Sequence, residues 1–322
     1  MGRLSTSWKL MKQSWAVLRG DKELMVFPIV SAIASLVVVA SFMVPVVLAV
    51  MSTNRGAAVQ TGSTDVPLWV YPVMFVFYVV LAIVTIYCNS ALMGAAMVRL
   101  RGGDPTLADG FGYANRHLPQ ILGWALISAT VGMVLRSIQQ RSGLVGRLVV
   151  GLIGAAWQFV TYFVVPVLIF EDAGPVQAVK RSALIVRQRW GEQIAGTVGI
   201  GFVSGLLSLI GVGLIAGGAA AGVATRSAVL GAGLVVLGVV YLVALTIVTQ
   251  AMQGIYNTAL YRFATEGTGG GVFSDADLAG TFRTKDGRVP PIVPPYGHGP
   301  MTPGPPGASD PRGPLPGEIR PQ

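Results

Sequence analysis

Six apolar stretches dominate this chain, and they restrict it to folds whose solvent is lipid. Each stretch runs for 18 to 35 residues without a charged side chain. A transmembrane helix needs about 20 consecutive apolar residues to cross roughly 30 Å of hydrocarbon. Only 11% of the chain is charged, whereas soluble domains carry about a quarter. The sequence therefore predicts an all-α, polytopic membrane helix bundle, with spans at about 25–51, 68–98, 118–135, 148–170, 193–220 and 228–261.

The distribution of basic residues predicts how these spans are oriented. The segment before the first span, the two longer loops and the C-terminal tail together hold 18 of the 23 Lys and Arg. Cytoplasmic loops collect Lys and Arg, so both termini are expected in the cytoplasm. The third stretch is the shortest, and its 18 residues reach only ~27 Å. We expect it to cross nonetheless, with the Arg136 side chain extending outward.

A compositional boundary near Phe263 divides the chain. Residues 264–322 contain 12 of the 20 prolines and 12 of the 42 glycines. A segment of this kind buries too little surface to offset its ordering entropy. We expect a cytoplasmic amphipathic helix at 1–24, a membrane domain at 25–263 and a disordered cytoplasmic tail at 264–322. The Pro-rich run 289–296 could dock to the aromatic groove of a protein partner.

An internal repeat indicates how the membrane domain is built. Ser14 recurs as Ser182, and Asn89 recurs as Asn257, both at a spacing of 168 residues. A fainter middle copy begins near Pro105. Parallel repeats of membrane hairpins are a known way to build a bundle. The sequence therefore predicts three units, each a cytoplasmic helix followed by a hairpin of two spans.

The cytoplasmic helices of the first and third units are amphipathic. A helix with a Trp-bearing apolar face and a basic opposite face is typical of the lipid headgroup region. Basic residues there can bind anionic lipid, or they can serve only to fix the topology. The candidate headgroup contacts are Lys9, Lys12, Arg19, Lys180, Arg181 and Arg187.

Uncharged polar residues within the spans form a second candidate site. Three side-chain amides of the last span share one helix face, at steps of three and four residues. Amides are costly in hydrocarbon, so they should point into the bundle. There they either join helices or line a polar cavity or permeation path. The candidate intramembrane site is Asn89, Gln158, Gln250, Gln253 and Asn257.

Small residues and prolines predict close packing and bending. In the fifth span, glycines 201 and 205, and glycines 213 and 217, form two small-xxx-small patterns, which allow helix backbones to approach closely. Pro28, Pro45, Pro72 and Pro166 are expected to kink their helices, and neighbouring groups must then satisfy the freed carbonyls.

Motifs for catalysis are missing from the sequence. The histidines His117 and His298 lie in a loop and in the tail. We find no phosphate-binding loop, zinc-spaced ligands or nucleophile elbow. We therefore expect no enzyme activity, no cofactor and no metal, and the positive charge follows topology rather than a nucleic-acid partner.

Two motifs resemble those of a known family. One is Ser7-Trp8-Lys9-Leu10 with Gly20-Asp21-Lys22-Glu23, and the other is Phe170-Glu171-Asp172-Ala173-Gly174-Pro175 with Lys180-Arg181-Ser182. Together they resemble an uncharacterised family of six-span prokaryotic membrane proteins, over about residues 3–265. The chain is also distantly similar to the membrane domain of some glycerophosphodiester phosphodiesterases, whose catalytic barrel it lacks. The resemblance implies a multi-pass protein of the prokaryotic plasma (inner) membrane and transfers no function.

Two functions fit these features. The first is a non-enzymatic membrane scaffold or accessory protein that contacts anionic lipid, and a protein partner through the Pro-rich tail. The alternative is a permease for a small or lipid-like solute, which would use the polar face of the last span. A packed interior with a lipid-exposed groove favours the first, and a continuous polar cavity favours the second.

Overall fold

The computed structural model describes residues 3–57, 68–190, 198–225, 227–271, 273–275, 278–279 and 292–294. Within these ranges the regular structure is helical and contains no strand. Residues 193–197 of the predicted fifth span lie outside the described part, as does most of the predicted tail. The helices are α1 (Arg3–Gly20), α2 (Val26–Ala57), α3 (Val70–Leu100), α4 (Leu107–Arg116), α5 (Leu118–Arg141), α6 (Leu144–Val160), α7 (Val164–Phe170), α8 (Pro175–Trp190), α9 (Val198–Ala224) and α10 (Ala228–Glu266).

The order of the helices confirms the predicted all-α bundle of three units. A shorter helix precedes a pair of long apolar segments three times: α1 before α2 and α3, α4 before α5 and the α6–α7 pair, and α8 before α9 and α10. In the described residues, six segments are long and apolar enough to cross a membrane. Helices α1, α4 and α8 lie at one end of the bundle, which we call the basic end.

Helix α5, the predicted third span, is longer than its uncharged stretch. It continues past Arg136 to Arg141 and has 24 residues, or ~36 Å of helix. The guanidinium of Arg136 donates a hydrogen bond to the Tyr78 hydroxyl on α3, at 2.7 Å. Because Arg136 has a partner on a neighbouring helix, the membrane helix can continue past this charged residue. The full helix is therefore long enough to cross the bilayer, although its 18-residue uncharged stretch alone is marginal.

The fourth span is broken rather than merely kinked. It divides into α6 and α7 around residues 161–163, and the break frees backbone groups inside the bundle. Ser182 of α8 is fully buried. Its hydroxyl accepts a hydrogen bond from the Phe163 N–H at 3.0 Å and donates one to the Val160 carbonyl at 2.6 Å. Ser182, a side chain of the third unit, thus satisfies backbone groups that the break leaves free, as the sequence predicted for a neighbouring group.

Helices α9 and α10 pack closely through glycines, but not through those that the sequence indicated. A Cβ atom added at Gly213 or Gly217 would meet no atom within 4 Å. One added at Gly218 would lie 2.7 Å from the Leu234 Cβ, and one at Gly231 would lie 2.7 Å from the Gly222 Cα. The contact therefore follows glycines on a different face of α9, and the interpretation of the 213–217 pattern was wrong.

The buried core lies towards the basic end. Residues of α3 between 91 and 97 are buried, together with most of α7 and the last turns of α10. Towards the opposite end, large apolar side chains such as Leu36, Leu209 and Leu237 are exposed. An exposed apolar belt on long helices is the surface that a bilayer covers.

Part of the predicted tail packs onto the bundle. Phe273, Leu278 and Val293 are buried and belong to the hydrophobic core. The Val293 N–H donates a hydrogen bond to the Ala264 carbonyl at 3.1 Å. A boundary at Phe263 was therefore too early, because isolated apolar residues in a Pro-rich segment can still bury themselves on an existing surface. The remainder of 280–322, apart from 292–294, lies outside the described residues.

Candidate functional site

A cleft of about 390 Å³ lies between α2, α3 and α10, in the half of the bundle nearer the basic end. Helix α2 contributes its first turns, α3 contributes residues 85–93 and α10 contributes residues 250–257. The wall is mixed, because Phe27, Leu92 and Met93 supply apolar surface. Its polar side chains are Ser31, Thr85, Cys88, Asn89, Tyr162, Gln250, Gln253, Tyr256 and Asn257.

Four of the five amides predicted as an intramembrane polar site meet in this cleft. Asn89 comes from α3, and Gln250, Gln253 and Asn257 come from α10. The fifth, Gln158, does not join them, because it is exposed on α6 and is not part of the cleft wall. The helical spacing on α10 predicted that its three amides share one face. Spacing along the chain could not predict how far Gln158 on α6 lies from that face.

Asn257 holds the broken fourth span. Its side-chain N–H donates a hydrogen bond to the Tyr162 carbonyl at 3.2 Å. In a continuous helix that carbonyl would accept from residue 166, but residue 166 is proline and has no N–H. The amide of Asn257 therefore replaces the missing backbone donor. Asn257 thus joins two helices, and this structural role uses only the N–H donor of its amide and not the Oδ1 atom.

The remaining amide groups at the cleft lack internal partners. The Asn257 Oδ1 atom is buried and accepts no hydrogen bond within the described chain. Gln250 and Gln253 are exposed at the cleft, and no side chain or backbone group in the described ranges bonds to them. An amide without a hydrogen bond costs several kcal/mol in hydrocarbon, of the order of 2–7. These groups therefore need hydrogen-bonding partners from outside the protein.

The described wall of the cleft is uncharged. Asp, Glu, Lys and Arg are all missing from the described residues that line it. An uncharged amide can donate and accept at once, so the wall matches a ligand group that does the same. Burying an ion here without a countercharge would be unfavourable.

A packed layer separates the cleft from the basic end. Ala95, Ala96, Ala259 and Leu260 are 0–1% exposed, and they follow the cleft residues on α3 and α10. Gly254 lets these helices approach, because a Cβ there would lie 2.5 Å from the Leu92 Cδ2. The cleft is thus a side pocket of the bundle above a tightly packed layer.

Arg181 was predicted to contact lipid headgroups, and the structure corrects this assignment. Arg181 is 5% exposed and pairs with the buried carboxylate of Glu171 at 3.0 Å. The Tyr261 hydroxyl donates to the same carboxylate at 2.8 Å. Arg181 also donates to the Val293 carbonyl at 3.0 Å and to the Pro294 carbonyl. A buried carboxylate attracts the nearest guanidinium, so this side chain cannot reach headgroups.

The other candidate headgroup contacts lie on the surface of the basic end. They are exposed on α1 and α8, and they are Lys9, Lys12, Arg19, Lys180 and Arg187. Nearby, Arg99 pairs with Asp21 at 2.8 Å and links α3 to the segment that joins α1 to α2. Burial raises the pKa of Asp21 above its ordinary value, while the Arg99 charge opposes that rise. The basic end thus combines interhelical ion pairs with outward-facing cations.

The sequence interpretation missed several cleft residues. Ser31, Tyr162 and Tyr256 line it but belong to no polar stripe. The sequence did contain one indication of the role of Tyr162, because it is the fourth residue before Pro166.

Among the described residues, no group of three or more His, Cys, Asp or Glu side chains is arranged to hold a metal ion.

Comparison with known protein families finds a match. A model of a family of unknown function (DUF6159) matches residues 68–271, which is more than half of the 322 residues. The match runs from α3 to just beyond α10 and includes the second of the two motifs described above. No curated protein and no solved structure matches the chain, and the distant similarity to the phosphodiesterase membrane domain is not found.

Proposed function

The chain belongs to this family of unknown function, DUF6159, and we propose that it is a non-enzymatic membrane protein that binds a lipid-like amphiphile in the cleft. In this proposal it is a multi-pass protein of a prokaryotic plasma membrane, with both termini in the cytoplasm. The observation that carries the proposal is the set of amides at the cleft without internal partners, beside an apolar wall.

The chemistry of the wall indicates the class of ligand. Hydroxyl groups donate and accept like the amides of Gln250 and Gln253. An uncharged sugar or glycerol headgroup therefore matches the cleft better than a phosphate or an ion. The apolar side chains of Phe27 and Leu92 would contact the first carbons of the acyl chain.

An accessory role in the cell accompanies this binding. The exposed cations of α1 and α8 would hold the basic end against anionic lipid, at about 1 kcal/mol for each Lys or Arg near the surface. A protein partner would bind the Pro-rich run 289–296. Because residues 292–294 pack against the bundle, such a partner must displace them or bind beside them.

The single cysteine supplies a direct assay of cleft occupancy. Cys88 lines the cleft and is 4% exposed. We would reconstitute the full chain in phosphatidylcholine nanodiscs and measure the rate of its alkylation by N-ethylmaleimide. Adding a monoglycosyl diacylglycerol should slow the reaction of the wild-type protein.

Variants make the assay specific. The double change Gln250→Leu and Gln253→Leu should abolish protection by the glycolipid, because the headgroup loses its hydrogen bonds. Gln158→Leu is the matched control, since this glutamine is exposed outside the cleft, and it should retain protection. Equal protection of all three proteins, or no protection of the wild type, would reject the cleft as the binding site.

The permease is the second candidate, and the amide stripe of α10 is the feature that favours it. Glycerol uptake into liposomes distinguishes the two functions. The accessory protein should leave the uptake rate at that of empty liposomes. A rate that rises with wild-type protein and falls with the double glutamine variant would favour the permease instead.

A further inference from the structure

A second cavity, of about 420 Å³, lies between α3 and α5. Its walls are mostly apolar, with Leu81 and Ile86 from α3 and Trp124 and Met133 from α5. It shares Thr85 with the cleft but has a different chemistry, because a cation, Arg136, stands at one end.

Arg136 is held in position rather than left to swing freely. Its guanidinium donates to the Tyr78 hydroxyl at 2.7 Å. It also lies 5.2 Å from the centroid of the same ring, within the range of a cation–π interaction. The side chain is nevertheless exposed. No carboxylate of the described residues forms an ion pair with it.

The depth of this cation in the bundle matches a lipid headgroup. Arg136 follows Leu118, the first residue of α5, by 18 residues, or ~27 Å along the helix. That is close to the ~30 Å thickness of the hydrocarbon. Arg136 therefore lies at the interface opposite the basic end, and the apolar cavity runs from it towards the bilayer centre.

We propose that this cavity binds one phospholipid of the leaflet opposite the basic end, with its anionic phosphate on Arg136 and an acyl chain between α3 and α5. The planar guanidinium has further N–H donors beyond the one used by Tyr78, and its geometry suits phosphate oxygens. The Arg136 guanidinium, which pairs with no carboxylate of the described residues, and the apolar cavity are complementary to the two parts of this ligand. The proposal does not rest on the function proposed for the cleft.

The experiment uses the full chain in nanodiscs of phosphatidylcholine and measures bound lipid by native mass spectrometry after release. Phosphatidylglycerol is the probe. Trioleoylglycerol is the lipid without phosphate, and it also lacks the headgroup hydroxyls that the cleft is proposed to bind. Wild-type protein should retain phosphatidylglycerol in preference to trioleoylglycerol. Arg136→Gln should lower its retention about tenfold, as expected for a lost hydrogen bond to a charged group.

Two further variants separate the proposal from general charge effects. Arg141→Gln, an exposed cation five residues later on the same helix, should retain wild-type binding. Gly132→Leu should lower binding as Arg136→Gln does, because its Cβ would meet no protein atom within 4 Å and the side chain would fill the cavity. The Cys88 alkylation rate shows whether each variant is folded. If Arg136→Gln does not fold, Gly132→Leu carries the test, because it blocks the cavity and keeps Arg136.

Three results would overturn the proposal. One is equal retention by Arg136→Gln and Arg141→Gln. Another is unchanged retention by Gly132→Leu, because this result would show that no acyl chain occupies the cavity. The third is displacement of the lipid by inorganic phosphate at millimolar concentration, which would indicate a site for free phosphate rather than for lipid.

Discussion

Ser182 offers the sharpest test of how the fold is held together. Its hydroxyl satisfies both the Phe163 N–H and the Val160 carbonyl at the break in the fourth span. Phe163 is 0% exposed, so water cannot replace the bond to its N–H. Ser182→Ala removes this bond and the bond to the part-buried Val160 carbonyl, at about 1–2 kcal/mol each. We expect the free energy of unfolding to fall by about 2–4 kcal/mol.

The internal repeat supplies a matched control for this change. Ser14, which corresponds to Ser182, is also 0% exposed, but its hydroxyl has no hydrogen-bond partner within the described residues. Removing an unsatisfied buried hydroxyl is nearly neutral. Ser14→Ala should therefore change the free energy of unfolding by less than about 0.5 kcal/mol, despite equal burial and the same substitution.

The assay is equilibrium unfolding in mixed micelles with increasing sodium dodecyl sulfate, followed by maleimide labelling of Cys88. This cysteine is 4% exposed in the folded bundle and is the only one in the chain, so a labelling rate above that of the folded protein reports loss of the bundle. The reasoning is refuted if Ser182→Ala costs less than about 0.5 kcal/mol, or if both serine variants are destabilised equally. Equal effects would mean that packing, not hydrogen bonding, determines the cost.

Three further predictions follow from the packing and the charge pattern. Glu171→Gln, which removes the buried carboxylate that pairs with Arg181, should cost about 3–5 kcal/mol. Arg101→Gln, which breaks a half-exposed pair with Glu266, should cost less than about 1 kcal/mol. Thermal unfolding monitored by Cys88 labelling compares the two variants. Gly218→Leu should separate α9 from α10 and lower the midpoint temperature of thermal unfolding. Gly213→Leu, whose Cβ has open space, should leave this midpoint unchanged. Similar midpoints for the two variants would contradict the contact between α9 and α10. A cytoplasm-active reporter fused after Glu266 should be active and one inserted near Gly62 inactive, and activity at both places would reject the six-span topology.

Much of the fold was predictable because the relevant physics is local. Transfer of an apolar side chain into lipid depends on that residue and its neighbours in sequence, so stretch lengths located the six segments. The repeat of Asn89 as Asn257 placed two amides at corresponding positions of α3 and α10, and helical periodicity placed Gln250 and Gln253 on the Asn257 face. The cleft that contains all four follows from these patterns once α3 and α10 pack together.

The sequence could not determine which faces pair across the bundle. Gly213 and Gly218 are equally small, but only the second lies against α10. Arg181 and Lys180 are neighbours, yet one is buried on Glu171 and the other is exposed. These outcomes depend on contacts between residues far apart in the chain, and their energies exist only when the helices are assembled. Composition and periodicity thus determined the solvent and the helices of this protein, while tertiary packing alone decided the partners of each side chain.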